Sequence, residues 1–109
     1  MSVLDHEAAL WLQVRGDLYA RAGQPHRGLA MLLLAARLAP AHAPILRTLV
    51  GGFLAVGDGR RALLAVDQLA GLEGERADHQ LLRSRAFWLL GEHDQARDCF
   101  HRYLAWRTE

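Results

Sequence analysis

Glycines recur at a fixed interval in this chain, and that interval limits the fold more than any other feature. Gly23, Gly57 and Gly91 stand 34 residues apart. The residue four positions before each is aromatic (Tyr19, Phe53, Phe87), and the residue five positions after each is small (Gly28, Ala62, Ala96). Two further columns stay apolar at the same period: Leu32, Val66 and Phe100, then Ala35, Leu69 and Tyr103. Five columns of matched character mark an internal repeat. Units of this length stack side by side, because one unit cannot bury its own apolar face.

The period and the order of the columns match the 34-residue tetratricopeptide repeat, a pair of antiparallel helices. Each column has a physical reason. The glycines fall where the first helix of a pair must stop and turn, in the left-handed conformation that glycine adopts without steric cost. The small residues let the second helix approach the first closely, and the aromatics fill the space between them. Pro40 ends the second helix of the first unit, since proline cannot continue a helix; Gly74 and Thr108 hold that place in the other units. Gly16 occupies a further close-packing position, where the later units carry Val50 and Ser84. The predicted fold is all-α, three tandem tetratricopeptide-type helix–turn–helix repeats forming a short right-handed solenoid. Helices are expected near 5–22, 25–39, 43–56, 59–72, 77–90 and 93–106. A single domain of residues 1–109 is expected, with repeats near 9–42, 43–76 and 77–109.

Composition agrees with a folded protein-binding chain and argues against several other classes. Of the 109 residues 51% are hydrophobic and 23% charged, which is unlike a disordered chain. The 13 basic residues, all arginine, nearly balance 12 acidic ones, and no basic block marks a nucleic-acid surface. The lone Cys99 cannot form an internal disulfide, which fits a reducing compartment. Acidic Asp5 and Glu7 stand where a signal peptide needs basic residues. The most apolar run, from Leu29 to Ala39, is shorter than the roughly 20 residues that span a bilayer. A cytoplasmic location is expected, with no membrane insertion.

In stacked repeats of this kind the first helices line one concave face. Helical periodicity nominates the residues on those helices that turn away from their own partner helix. In the first repeat these are Leu10, Gln13, Val14, Asp17 and Arg21. The second offers Arg47, Thr48, Gly51 and Leu54, and the third Leu81, Leu82, Arg85, Trp88 and Leu89. An apolar groove carrying arginine and one tryptophan suits an amphipathic helix or extended peptide, with Arg21, Arg47 and Arg85 free to meet carboxylates on it. The bland alternatives are repeat-to-repeat packing for the leucines and simple solvation for the arginines. The clamp of Lys, Asn and Arg with which some tetratricopeptide domains capture chaperone C-termini is missing: its slots hold Gln13, Asp17, Thr48, Asp78 and Leu82. The run Leu29 to Ala36 makes its helix apolar nearly all round, so a partner on the convex side is also expected. Trp106 is expected to be half buried, or covered by a partner or a second copy.

Catalytic and metal chemistry find no support. The six histidines form no pair at ligand spacing with a second imidazole or with sulfur, and Cys99 and His101 point to different helix faces. His93, Asp94 and Asp98 read as cap and dipole partners at a helix start. No phosphate-cradling loop is present. No enzyme activity, cofactor or metal is expected.

Beyond the repeat itself, Trp11 to Gly28, Leu38-Ala39-Pro40-Ala41-His42, Ser84-Arg85-Ala86 through Gly91, and Ala96-Arg97 to Tyr103-Leu104 resemble the YscY/PscY group of type III secretion chaperones. That resemblance implies a non-catalytic protein of the bacterial cytoplasm that binds one small secreted partner of the YscX type and keeps it export-competent. It also implies a hetero-oligomer that acts near the export-gate protein. A free-standing adaptor docking a peptide of a signalling or assembly protein is the alternative.

Overall fold

The computed structural model describes residues 2–108. Six helices follow one another: α1 Val3–Arg21, α2 Pro25–Leu38, α3 Ala43–Ala55, α4 Gly59–Glu73, α5 Ala77–Leu89 and α6 His93–Arg107. They pair as three hairpins, α1/α2, α3/α4 and α5/α6, and α3 and α5 pack against the second helix of the hairpin before them. No strand occurs among the described residues. The stack measures 42 × 28 × 20 Å.

The hairpin turns are made alike. Gly23, Gly57 and Gly91 have φ of +84°, +79° and +76°. The amide after each glycine donates to the carbonyl of the column aromatic: Gln24 to Tyr19, Asp58 to Phe53 and Glu92 to Phe87, at 2.9, 2.9 and 3.0 Å. This is the Schellman closure of a helix end, so the aromatic column marks the residue that accepts the last bond as well as a packing site. Proline assists the opposite ends, with Pro25 and Pro44 in the first turns of α2 and α3. α1 starts two residues earlier than the apolar period indicates, because the Ser2 hydroxyl accepts from the Asp5 amide at 3.0 Å. At α6 the structure corrects an expectation. Glu92 is the N-cap residue and makes no side-chain cap bond, while His93 is turned onto Trp88.

The core lies around the second hairpin. Leu29 and Leu32 of α2, Leu49, Val50 and Phe53 of α3, and Val66 and Leu69 of α4 form one buried cluster, joined from the third hairpin by Ala86. A smaller cluster of Ala9, Ala35, Ala39 and Ile45 seals the junction of the first two hairpins. The apolar run of α2 is therefore largely covered by its own neighbours. Leu29, Leu32 and Ala35 are buried, and Leu34 is the large side chain left open, at 49%.

Backbones approach most closely at three small residues. A Cβ on Gly28 would stand 2.5 Å from the Gly16 carbonyl oxygen, and one on Gly16 would meet Gly28 and Leu32. A Cβ on Gly59 would lie 2.6 Å from the Ala86 carbonyl oxygen, which fixes how α4 seats the third hairpin. No helix among the described residues is long and apolar enough to cross a membrane.

Candidate functional site

The first helices, α1, α3 and α5, carry two hollows of about 380 Å³ each, and their chemistry differs. The first lies between α1 and α3 and is lined by Gln13, Val14, Asp17, Leu18, Arg21 and Thr48. Its polar groups hold one another. The Gln13 side-chain amide donates to Thr48 Oγ1 at 3.0 Å and to the Pro44 carbonyl at 3.3 Å, and Arg21 Nε meets Asp17 Oδ2 at 2.9 Å.

The second hollow is bounded by Leu54 of α3, by Leu81, Ser84, Arg85, Trp88 and Leu89 of α5, and by Phe100 of α6. Leu81, Arg85 and Trp88 share one face of α5 because they are spaced i, i+4, i+7. Trp88 is 62% exposed, as expected for the residue next to the column aromatic Phe87. Its ring stacks on His93, with centroids 4.2 Å apart and planes 29° from parallel. Ser84 donates to the Ala96 carbonyl at 2.7 Å and so knits α5 to α6. Arg85 is exposed, and among the described residues no carboxylate stands within ion-pair distance of it.

The nominated residues divide accordingly. Gln13, Val14, Asp17 and Arg21 come together in the first hollow, and Leu54, Leu81, Arg85 and Trp88 in the second. Four need correction. Leu10 is half buried against the Ala9, Ala35, Ala39 and Ile45 cluster. Leu54 is only 7% exposed, a core residue whose edge forms the hollow's floor. Arg47, expected to meet a ligand's carboxylate, is paired with Glu73 and Asp78 of its own chain. Arg21 likewise has its acid within the chain. Phe100 is the residue that column reasoning misplaced. Leu32 and Val66, its counterparts, are buried, whereas Phe100 is 40% exposed and walls the second hollow.

Arg47 belongs to a network that ties α3 to the α4–α5 turn. Arg76 stands 3.6 Å from Glu73 and 3.4 Å from Asp78. His79 is fully buried, with Nε2 2.6 Å from Glu73 Oε1 and Nδ1 accepting from the Arg76 amide at 3.1 Å. Since Nδ1 accepts, the ring proton sits on Nε2 and is donated to Glu73. That hydrogen bond, with help from the charges of Arg47 and Arg76, holds the Glu73 carboxyl below its ordinary range against the opposing effect of burial. At Asp78 burial pushes upward, but the hydrogen bond and charge of Arg47 outweigh it and the carboxyl is lowered. Beyond the turn, Arg83 binds Glu75 at 2.6 Å and Asp67 at 3.2 Å, and the hydrogen bond from Arg83 is the main reason the Glu75 carboxyl is lowered. These charges clamp two hairpins together. On α6 burial pushes the Cys99 thiol above its ordinary range, against the opposing charges of Arg102 and Arg83.

Two smaller neighbouring hollows that share Gln68 lie along α4. Leu33, Phe53, Arg61, Leu64 and Gln68 line one, and Pro40, Leu46, Gln68 and Leu72 the other. Their volumes are about 230 and 310 Å³.

No protein-family model matches the chain, and no curated protein matches it in sequence. Among solved structures it is similar to the second tetratricopeptide-repeat domain of Spaghetti (RPAP3) bound to the HSP90 peptide SRMEEVD. The two share 18% identity at a TM-score of 0.78, over 94% of this chain and 95% of that one. At such identity the likeness is one of fold: this chain is an all-α tetratricopeptide solenoid of three repeats.

Proposed function

We propose that this chain is a non-catalytic docking protein that holds another polypeptide on the face made by α1, α3 and α5. Within that class we read it as a type III secretion chaperone of the YscY kind, keeping a small YscX-type partner soluble and export-competent in the bacterial cytoplasm. The observation that carries the docking reading is the second hollow, where Trp88 is 62% exposed beside Leu81, Leu89 and Phe100. An apolar concavity with an open tryptophan is what a partner's anchor side chains fill. The finer reading rests on the sequence resemblance. Co-expression with the products of neighbouring reading frames, followed by gel filtration, tests it. A stoichiometric complex with one small partner is expected, and a monodisperse chain that retains none of them refutes the chaperone assignment.

The similar solved structure favours a second reading, a free-standing adaptor for short peptides, because that domain holds one. The peptide itself is not expected to bind here. Of the slots that would clamp its terminal carboxylate, Gln13 is bonded to Thr48, and Asp17 and Asp78 are acids. Calorimetry with SRMEEVD should show no heat of binding, and a micromolar complex would overturn this account of the first hollow.

A further inference from the structure

The two hollows are equal in size but not in what they leave unsatisfied, and the difference names an occupant for the second. In the first, the cation Arg21 already has Asp17, and Gln13 already has Thr48. Six of the thirteen arginines are matched in the same way (Arg21, Arg47, Arg61, Arg76, Arg83 and Arg97), and the remaining seven include Arg85. Arg85 has none among the described residues, and it alone of the charged side chains lines the second hollow. The serine beside it is already bonded to Ala96. What remains is one guanidinium set within an apolar stripe, with Leu81 one turn before it and Trp88 and Leu89 one turn after.

We propose, resting on the docking reading above, that this hollow takes an amphipathic helix of a partner protein that carries a single acid within its apolar stripe. The acid pairs with Arg85. Apolar side chains three or four residues to either side of it lie against Leu81 and against Trp88, Leu89 and Phe100. Residues so spaced share a helix face about 5–6 Å apart, which is the spacing of Arg85 and Trp88 on α5. A docked helix removes water from the guanidinium, so an unmatched Arg85 there would oppose binding and a matched one favours it. A chain-terminal carboxylate is a poor fit, since it is captured by several converging donors and only one is present. Phosphorylated segments are recognised by arginine clusters, and Arg85 stands by itself.

The test uses three short helical peptides with one apolar frame and Glu, Gln or Lys at the central position, titrated by fluorescence anisotropy into the folded chain. Wild type should bind them in the order Glu, Gln, Lys, with on the order of tenfold between the extremes. In Arg85→Glu the order should reverse, an outcome that misfolding cannot produce. Trp88→Ala should weaken all three alike. Equal affinities, or an order unchanged by Arg85→Glu, overturn the pairing and leave the docking reading standing. Affinities that respond to Val14→Glu and not to Trp88→Ala place the helix in the first hollow and overturn the assignment. Failure of every peptide to bind the folded wild type overturns the docking reading at this hollow together with the inference.

Discussion

Two glycines in helix interiors respond in opposite directions to the same substitution, and the structure says why. Gly28 faces α1 where the first hairpin crosses. A Cβ there would lie 2.5 Å from the Gly16 carbonyl oxygen and 3.0 Å from the Ala20 amide nitrogen, about an ångström inside ordinary contact in the first case. Both obstacles are backbone, so no side chain can swing aside; α1 as a whole must move away from α2. That movement also loosens Leu32, which packs against Gly16 and against Gly52 of the next hairpin. Overpacking of this kind costs roughly 1–3 kcal/mol, and the rigid obstacle puts Gly28→Ala near the upper end. Alanine's better helix propensity returns about 1 kcal/mol, leaving a net loss of about 2. Gly51 sits within α3 with nothing within 4 Å of its added Cβ. Gly51→Ala therefore gains about 0.5–1 kcal/mol by propensity alone. Urea unfolding followed by far-ultraviolet circular dichroism measures both against wild type. Midpoints that move in the same direction, or a Gly28→Ala protein as stable as wild type, would refute the close crossing of the first hairpin.

Other outcomes follow from the same packing. Arg47→Ala removes the cation shared by Glu73 and Asp78 and should cost about 1–2 kcal/mol, since the side chain is still 35% exposed; a loss below about 0.3 kcal/mol in the same urea titration would show the network to be ornamental. Glu73 and Glu75, ordinarily at 4.5, and Asp78, ordinarily at 3.8, are all lowered in the fold. Their stabilisation is complete above those unfolded values and is lost as the pH falls through the lower folded ones. Stability should thus drop below about pH 4.5, and drop less in Arg47→Ala and Arg83→Ala; parallel profiles would contradict the assignment. Trp88→Ala should leave stability within about 0.5 kcal/mol, whereas Leu54→Ala should cost about 2–4 kcal/mol as a core truncation. Comparable thermal shifts for the two variants would mean that Trp88 is core.

What could be read in the sequence was whatever repeats. The turn glycines, the aromatics that accept the closing bonds and the small crossing residues lie at one period, because each hairpin solves the same local problem. The bounds of the helices came within two residues for that reason. What does not repeat was hidden. Arg47 finds Glu73 and Asp78 across 26 and 31 residues, a pairing that no helical spacing encodes. Arg47 therefore looked like a solvent-facing cation on the docking face. Leu54 looked like groove because periodicity gives the direction of a side chain and not what stands over it. Phe100 failed in the opposite way: Leu32 and Val66 of the same column lie in the buried cluster shared with α3 and α5, and among the described residues no further first helix packs on Phe100. The start of α1 does have a signal outside the repeat, Ser2 followed three residues later by Asp5.

The non-repeating residues also explain how three similar hairpins hold one order. At the first junction Ala39 and Ile45 meet in an apolar cluster. One period later the same two places are Glu73 and His79, joined at 2.6 Å in a part-buried hydrogen bond. The junctions are thus not interchangeable. Seating Ile45 against Glu73 would deprive the carboxylate of one donor, its arginines remaining, and seating His79 against Ala39 would bury an imidazole with no acceptor. A buried imidazole orphaned in this way costs about 1–3 kcal/mol. A repeat protein whose junctions were all alike would accept a shifted or swapped stacking at no penalty; here each wrong pairing carries one. His79→Ile together with Glu73→Ala would make the second junction a copy of the first. Because a hydrogen-bonded pair is often replaced at little cost when both partners become apolar residues of matched shape, stability need not fall. The effect should appear as loss of a single state, detected as extra resonances in amide spectra, and one sharp set of signals from the double variant would show that the glycine contacts alone fix the order.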